Sequence, residues 1–259
     1  MRTQRVLEAG NSSYGHAFET KLWLADEHLC KTPPILCESV GSFRHIIEDE
    51  LKRWNDFSGS STFLISLDGL SGSGKSSLST EIRSVTEQLP GIGFYPVPID
   101  LFIATPRDSS LRARMTESRE LFWRLIYDRQ SMIDVLTCIV RANGEPCSVY
   151  IPHHYNRVEG SVGPAVMHVP AGRKVALVDG IDATRILQTL ETIAPCPQLR
   201  VLLFTSPYIA LERAAQRDAK QGRRALQEGR EYRRREFAYL VPQIFNANSR
   251  QVEVIFVGR

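Results

Sequence analysis

The chain has 259 residues, of which 42% are hydrophobic and 24% are charged, and its formal net charge at pH 7 is +3. These values are ordinary for a soluble globular protein, and the length fits one large α/β domain or a domain with an appendage. They do not favour a nucleic-acid-binding protein, because a dedicated binder concentrates far more positive charge on one face.

The cysteines and the N-terminal residues predict a cytoplasmic protein. The chain has five cysteines, an odd number, and none of them forms a Cys-x-x-Cys pair. This number and spacing of cysteines argue against a zinc site and are consistent with reduced thiols. Residues 1–16 lack the apolar core of an export signal, and no apolar run approaches the length of a membrane span.

Predicted helices and strands alternate along the chain. Residues 1–60 are expected to form a helical N-terminal extension, with an amphipathic helix over Ser42–Trp54 that Ser42 caps. A longer helix is expected over residues 115–140, and another begins at Ser206-Pro207, where Ser caps the helix and Pro occupies its first turn. Nearly continuous apolar runs predict buried parallel strands at Thr62–Asp68, Phe94–Asp100, Lys174–Gly180, Leu199–Thr205 and Val252–Gly258.

The stretch DGLSGSGKSS, Asp68–Ser77, has the spacing of a phosphate-binding loop, Gly-x-x-x-x-Gly-Lys-Ser. Glycines let backbone N–H groups crowd around a phosphate, and the helix that follows points its first N–H groups at the same anion. Lys75 is expected to bridge the β- and γ-phosphates, and the Ser76 hydroxyl is expected to hold Mg²⁺. The expected nucleotide contacts in the loop are Gly69, Ser71, Gly72, Ser73, Gly74, Lys75, Ser76 and Ser77.

The loop lies between a buried strand and a helix, which argues against a merely flexible Gly/Ser turn. The whole pattern predicts an α/β fold of the P-loop NTPase type, a three-layer α/β/α sandwich with a mainly parallel central sheet. Residues 61–259 would form this domain, and residues 1–60 would pack on it. The guanine-reading Asn-Lys-x-Asp of GTPases and the Leu-Ser-Gly-Gly-Gln of transporter ATPases are both absent from the sequence.

The remaining motifs resemble those of the uridine kinase and phosphoribulokinase group of small-molecule kinases. The resemblance begins at SLDGLSGSGKSSL and continues through Asp100, the segment VYIPHHYNR (Val149–Arg157), Asp179 in VALVDGI, and ERAAQRDAKQGR (Glu212–Arg223). It covers the chain from about Phe63 to the C-terminus. It implies ATP and Mg²⁺ as cofactors and a hydroxyl group of a small metabolite as the phosphate acceptor, with a nucleoside or another sugar-containing compound as the best-supported class.

Two departures from the group's pattern lie where the acceptor or its metal is handled. Uridine kinases follow the second-strand Asp with Ser or Asp and then Phe-Tyr, whereas this chain reads DLFIATPRD (Asp100–Asp108). Asp179 is one methylene shorter than the usual Glu. The alternative function is therefore a nucleotide-binding regulatory protein with little or no phosphotransfer, whose altered segment no longer admits an acceptor.

Carboxylates at strand ends are the candidate base and metal ligands. Asp100 ends an apolar strand, and open α/β sheets gather their sites at that edge, so Asp100 is the predicted general base. Asp179 is expected to orient Mg²⁺, directly or through water. Asp68 precedes the loop as a third acid. The sequence leaves open which of the three acids is the base and which binds the metal. A purely structural role for any of them also stays open.

Arginines near residue 217 are the predicted transition-state contacts. Arg213 and Arg217 share a helix face, and together with Arg223 they lie in an expected lid over about residues 213–235. Lys75, Asp100 and Arg217 are thus the predicted catalytic residues. Ordinary surface arginines are the alternative, and the basic run Arg230–Phe237 is predicted to be a solvated helix face.

The acceptor side is predicted by resemblance alone. The candidate contacts are Phe102, Arg107, Tyr155 and Arg157. His153, His154 and His168 are not expected to bind a metal, because no carboxylate completes a familiar ligand spacing. The expected partner is the small-molecule acceptor, and neither nucleic acid nor a membrane is expected. Whether the protein forms a homo-oligomer stays open.

Overall fold

The computed structural model describes residues 35–57, 59–106, 127–222, 225–243 and 252–258. Residues 1–34, Arg107 and Arg223 lie outside these ranges. The strands are β1 Ile35–Cys37, β2 Thr62–Gly69, β3 Ile92–Pro98, β4 Cys147–Tyr155, β5 Val162–Val169, β6 Arg173–Asp179, β7 Gln198–Thr205 and β8 Val254–Gly258. The helices are α1 Val40–Phe57, α2 Lys75–Glu87, α3 Arg129–Arg141, α4 Ala183–Ile193, α5 Pro207–Lys220, α6 Leu226–Gln243 and a 3-10 helix, Ile99–Phe102.

A six-stranded sheet in the order β1-β8-β7-β2-β6-β3 occupies the centre of the described residues. Every neighbouring pair of strands in it is parallel. All residues of β2 are buried, as expected for a parallel strand that is covered on both faces. The predicted parallel sheet is confirmed, and β2, which leads into the phosphate-binding loop, lies between β6 and β7.

Helices cover both faces of this sheet. Phe63 and Ile65 of β2 belong to a core cluster shared with α1 and α2. The alternate residue Ser66 faces the other way, and its hydroxyl hydrogen-bonds with Thr184 of α4 at 3.4 Å. Thr62 likewise donates to the backbone oxygen of Ile139 in α3 at 3.3 Å. The predicted α/β/α sandwich is therefore confirmed.

Helix α1 contributes a full apolar stripe to the core. Phe43, Ile47, Leu51 and Trp54 are each no more than 3% exposed, and the Phe43 ring packs edge-on against Phe256 of β8 with centroids 5.8 Å apart. The predicted amphipathic helix is confirmed. The division of the chain near residue 60 stays a prediction.

The start of α1 differs from the prediction. The helix begins at Val40, and the hydroxyl oxygen of Ser39 accepts a hydrogen bond from the Ser42 N–H at 3.1 Å. The cap predicted at Ser42 is therefore wrong by one turn. Both serines are good caps by type. The apolar pattern alone placed the start at the first buried residue, Phe43, rather than at the first helical one.

The helix predicted over residues 115–140 is also shorter than expected. Residues 107–126 lie outside the described ranges, and Tyr127 pairs in an antiparallel bridge with Ile103. Asp128 then caps α3, since its carboxylate accepts from the Ser131 N–H at 3.0 Å and from the Ser131 hydroxyl at 2.7 Å. The apolar periodicity runs across this boundary, so only the Asp-x-x-Ser cap marks it.

Strands β4 and β5 form an antiparallel hairpin apart from the main sheet. These two strands were not among those predicted from the sequence. In the connecting turn, the Asn156 side-chain oxygen accepts from the N–H groups of Val158 and Glu159, a local Asx turn. The turn presents Arg157. Separately, none of the described helices combines the length and apolarity needed to cross a bilayer.

Replacing Phe43 by alanine should lower the free energy of unfolding by about 3–5 kcal/mol, because it empties a buried aromatic site. Lys52→Ala on the same helix is the matched control, since Lys52 is exposed and its loss should cost less than about 0.5 kcal/mol. Urea denaturation measures both values. Equal effects of the two changes would show that α1 does not belong to the core.

Candidate active site

The carboxyl ends of β2, β6 and β3 meet at one edge of the sheet. Leu67 of β2 and Pro98 of β3 both lie opposite Asp179 in register. The phosphate-binding loop leaves β2 two residues after Leu67, and Asp100 follows Pro98 in the 3-10 helix. The sheet therefore brings the loop and two of the predicted acids to the same place.

Gly72 lets the loop lie directly against α5. Its φ is +83°, and a Cβ built there would lie 2.2 Å from the Ala210 backbone oxygen and 3.0 Å from the Ala214 nitrogen. The Thr205 hydroxyl at the end of β7 donates to the Ser73 backbone oxygen at 3.0 Å. No side chain fits between loop and helix, so this glycine is required by packing as well as by conformation.

Gly74 gives the loop a backbone conformation with positive φ, which favours glycine. Its φ is +104°, and no atom of the described ranges lies within 4 Å of a Cβ built on it. No side chain in the described part of the chain caps the helix α2 that begins at Lys75, and Ser76 and Ser77 in its first turn are exposed. The Ser77 N–H donates to the Gly74 backbone oxygen at 3.0 Å, which leaves the N–H groups of Lys75 and Ser76 without a partner in the described structure and open to an anion, which a helix N-terminus favours.

The Lys75 ammonium lies over its own loop among three acids. Its Nζ donates to the backbone oxygens of Gly69 at 2.7 Å and Leu70 at 2.9 Å. Burial lowers the pKa of Lys75, and the negative charges of Asp179, Asp68 and Asp100 oppose that shift. The three acids predicted from the sequence therefore all act on the lysine that is expected to bridge the β- and γ-phosphates.

The Asp68 carboxylate is fully buried and bonded to the backbone. Its Oδ1 accepts from the N–H groups of Gly69 at 2.7 Å and Asp182 at 2.9 Å, and its Oδ2 accepts from the Thr184 N–H at 3.3 Å. Burial and the neighbouring charge of Asp182 raise the pKa of Asp68 to about 7. These contacts join the loop to the start of α4 and favour a structural role for Asp68.

Asp179 is the acid best suited to a metal. Its Oδ1 is buried and has no hydrogen-bond partner among the described residues, and burial raises its pKa while the Lys75 charge opposes the rise. Mg²⁺ takes oxygen ligands and usually keeps several waters, with one or two carboxylates and substrate phosphates. The orphaned oxygen fits such an ion, with the exposed Ser76 hydroxyl as the second protein oxygen.

Histidines and other metal-ligand types do not build a separate centre in the described ranges, where no group of three or more His, Cys, Asp or Glu side chains could hold a metal ion. His153 lies 3.1 Å from the Asp128 carboxylate, and His168 lies 2.8 Å from the Ser148 hydroxyl. A metal at the loop would therefore depend on Asp179, Ser76 and the phosphates of a bound nucleotide.

The predicted base and one predicted acceptor contact form an ion pair. Arg157 in the hairpin turn donates from Nη2 to Oδ2 of Asp100, and both side chains are about half exposed. Phe102 is fully buried and Tyr155 is 5% exposed, so these two lie beneath the surface on which Asp100 and Arg157 meet. Of the three acceptor candidates that the structure describes, only Arg157 is exposed, and the fourth, Arg107, lies outside the described residues.

Arg217, a predicted phosphate contact, reaches the loop from α5. Its Nη2 donates to the Ser71 hydroxyl at 3.2 Å and lies 3.8 Å from the carboxylate of its neighbour Asp218. Arg213 is exposed on the same helix. Arg217 is thus the member of the predicted arginine set that the described structure places against the loop.

A buried ion pair that the sequence did not predict lies behind Arg217. Asp218 is fully buried, and Arg233 of α6, whose side chain is 11% exposed, donates to it at 2.7 Å. Arg230 adds a second link to α5 through Glu212 at 2.9 Å. The solvated face predicted for the basic run is therefore wrong at Arg233. The Arg217-Asp218 dipeptide was visible in the sequence, but only the packing of α6 on α5 reveals its partner.

The free energy of unfolding should show a pH dependence that comes from Asp68. The pKa of Asp68 rises from an ordinary value of 3.8 to about 7 on folding, so the folded protein keeps a proton that the unfolded chain loses between these values. Stability from this group is fully present below pH 3.8 and is lost as the pH rises to about 7, by on the order of 4 kcal/mol.

Asp68→Asn should flatten that slope, and Asp49→Asn, a change at an exposed residue of α1, should leave it as in the wild type. Urea denaturation at a series of pH values between about 4.5 and 7.5 measures the slopes. If Asp68→Asn keeps the wild-type slope, Asp68 does not carry the titration.

Removal of the Arg233 guanidinium, which lies behind Arg217, should lower the stability of the protein. Arg233→Met leaves the Asp218 carboxylate buried without this cation, which should lower the free energy of unfolding by about 3–5 kcal/mol. Arg234→Ala on the next, exposed position is the matched control. The double variant Asp218→Asn/Arg233→Met should recover much of the loss. A single variant as stable as Arg234→Ala would show that the buried pair does not hold α6 on α5.

Comparison with known proteins adds support for the fold. No protein-family model matches the sequence, and no curated protein matches it. The chain is similar in structure to a candidate fructose transport system kinase from Silicibacter sp. TM1040, with a TM-score of 0.54, 18% identity, and coverage of 82% of this chain and 97% of that one.

Two further solved structures share the architecture. YFH7 from Saccharomyces cerevisiae, a candidate P-loop-containing kinase with a circular permutation, aligns with a TM-score of 0.57 and 14% identity over 83% of this chain and 99% of that one. The YGR205w protein aligns with a TM-score of 0.53 and 12% identity over 81% and 89%. At these identities the similarity shows the fold alone, and this chain has the fold of P-loop kinases.

Proposed function

We propose that this protein is an ATP-dependent kinase that transfers the γ-phosphate to a hydroxyl group of a small metabolite. The observation that carries the proposal is the grouping of Lys75, Asp179, Asp100 and Arg217 around one glycine-rich loop. A protein that only holds a nucleotide needs the loop and the lysine. It has no need of an exposed carboxylate at the neighbouring strand end, where an acceptor would lie.

The loop and its cations bind the donor. The open N–H groups of α2 receive the phosphates, and Lys75 exchanges its bonds to Gly69 and Leu70 for bonds to phosphate oxygens. Arg217, which already reaches the Ser71 hydroxyl at 3.2 Å, neutralises charge on the transferred group. Phosphoryl transfer depends mainly on such positioning and charge stabilisation. Mg²⁺ held near Asp179 and Ser76 supplies further charge neutralisation when bound.

Asp100 accepts the proton of the acceptor hydroxyl. Its Oδ2 is engaged by Arg157, whereas its Oδ1 makes no hydrogen bond within the described part of the chain. That oxygen is open to a hydroxyl donor without loss of the ion pair. Arg157 then keeps the carboxylate in position and lies beside the bound acceptor. General-base help of this kind contributes about 10²–10⁴-fold to a rate.

We propose a nucleoside or another sugar-containing compound as the acceptor. Support comes from the sequence resemblance to uridine kinases and from the fold shared with a candidate fructose transport system kinase. We also propose a cytoplasmic location, where ATP and reduced thiols are available. The Asp100–Arg157 pair favours one other candidate: a regulatory protein would keep this ion pair closed and would bind ATP without passing on its phosphate.

Acceptor-dependent release of ADP across a panel of nucleosides, sugars, vitamins and amino acids tests the proposal. Wild-type protein should respond to at least one sugar-containing compound. Lys75→Ala should abolish turnover, because the cation that bridges the phosphates is lost. Asp100→Asn should bind Mg-ATP as the wild type does, measured by calorimetry, and should lower kcat by about 10²–10⁴-fold.

The controls separate the two candidate functions. Equal turnover by wild type and Asp100→Asn would reject Asp100 as the base. Tight Mg-ATP binding without stimulation by any compound would favour the regulatory protein. Absence of Mg-ATP binding by the folded wild type would reject both.

A further inference from the structure

A chain of charged side chains connects α6 to the phosphate-binding loop. Arg217 of α5 donates from Nη2 to the Ser71 hydroxyl of the loop at 3.2 Å. The same nitrogen lies 3.8 Å from Oδ1 of Asp218. The other oxygen of Asp218, Oδ2, accepts a hydrogen bond from Nη2 of Arg233 on α6 at 2.7 Å. Arg233 is therefore two contacts away from the nitrogen that reaches the loop.

The two contacts of the Asp218 carboxylate differ in strength. The contact with Arg233 is a hydrogen-bonded ion pair between a fully buried acid and a guanidinium that is 11% exposed, so solvent and salt screen it little. The separation of 3.8 Å from Arg217, whose side chain is 44% exposed, is too long for a hydrogen bond. Arg233 thus holds the carboxylate more tightly, and the Arg217 guanidinium points to the loop.

Loss of Arg233 would change what Arg217 contacts. A buried carboxylate that has lost a hydrogen-bonded cation is costly, and Arg217 is the adjacent residue with a long, partly exposed side chain. A shift of about 1 Å would bring its Nη2 from 3.8 Å to hydrogen-bond distance of Asp218. That shift would draw the guanidinium away from the Ser71 hydroxyl and from a phosphate bound at the loop.

We propose that Arg233 and Asp218 are positioning residues for the nucleotide site, in which Arg233 holds the Asp218 carboxylate so that Arg217 can bind the terminal phosphate of a nucleoside triphosphate. The inference rests on the proposed function only in that the loop binds a triphosphate. It does not depend on the acceptor or on phosphotransfer.

Arg230 offers a matched control, because it also ties α6 to α5 but through a different acid. Its guanidinium donates to the Glu212 carboxylate from Nε at 2.9 Å and from Nη2 at 2.9 Å. If α6 mattered only by packing on α5, removal of Arg230 or of Arg233 would affect nucleotide binding alike. A positioning role requires the effect of Arg233 alone to pass through Arg217.

The ratio of the dissociation constants of Mg-ADP and Mg-ATP tests the proposal, because it isolates the contact with the terminal phosphate. Calorimetry on the full-length protein measures both constants. Arg217→Met should lower the ratio about tenfold, the lower end of what a hydrogen bond to a charged group contributes. Arg233→Met should lower it by about the same factor, and Arg230→Met should leave it unchanged.

Two double variants separate positioning from stability. Arg217→Met/Arg233→Met should have the same ratio as Arg217→Met, because the second change no longer has a guanidinium to displace. Asp218→Asn/Arg233→Met should return to the wild-type ratio, because the buried charge that attracts Arg217 is gone. Thermal melts show which variants are folded. Arg233→Gln, whose amide can donate to Asp218 without a charge, replaces Arg233→Met if that variant is unfolded.

The proposal is overturned by a folded Arg233 variant that keeps the wild-type ratio, or by an Arg230→Met variant that lowers the ratio equally. It is also overturned if Arg217→Met leaves the ratio unchanged, or if the effects of the two single changes multiply in Arg217→Met/Arg233→Met. None of these results contradicts the proposed kinase. A wild type with the expected ratios but no acceptor-dependent turnover would reject the kinase alone, and a folded wild type that binds neither nucleotide would reject both.

Discussion

The buried carboxylate of Asp68 is the constraint on which the rest of the candidate site depends. It accepts hydrogen bonds from the first residue of the phosphate-binding loop and from two residues at the start of α4. The loop and that helix leave different strands, β2 and β6, so one side chain sets their relative position. Only an acceptor with two oxygens can satisfy three N–H groups at once, which explains why an ionisable residue is retained where burial disfavours its charge.

The acids around the loop also set the balance of charge at Lys75. Lys75 lies among Asp68, Asp100 and Asp179, so in the absence of a ligand its ammonium is already balanced by acids. A triphosphate brings further negative charge to this group, and Lys75 alone cannot offset it. Among the described residues, Arg217 is near enough to help, since it contacts Ser71, and a divalent cation near the Asp179 oxygen that has no partner among them would add further charge. Under the proposed function, we therefore expect nucleotide binding to depend on magnesium and on α5 together.

Local patterns were enough to predict the loop and the strand-end acids. The glycine spacing is contiguous, and parallel strands place all their carboxyl ends at one edge, so Asp100 and Asp179 had to lie near Lys75 once the strands were identified. Features that depend on contacts between distant segments were not predictable in this way. Arg233 lies in a basic run that looks solvated, and only its burial against Asp218 changes that interpretation. The Ser39 cap and the break before α3 were missed because apolar periodicity does not register them.

The two sides of the candidate site come from different parts of the fold. The phosphate side is built from the central sheet and its helices, with Gly72 packed so closely on α5 that no side chain fits. The acceptor side is built from the 3-10 helix after β3 and from the turn of a separate hairpin, which meet through Asp100 and Arg157. A compound bound at that junction would contact both segments. The departure from the uridine kinase pattern after Asp100 begins on this side, so under the proposed function it bears on the acceptor, whereas the departure at Asp179 bears on the metal.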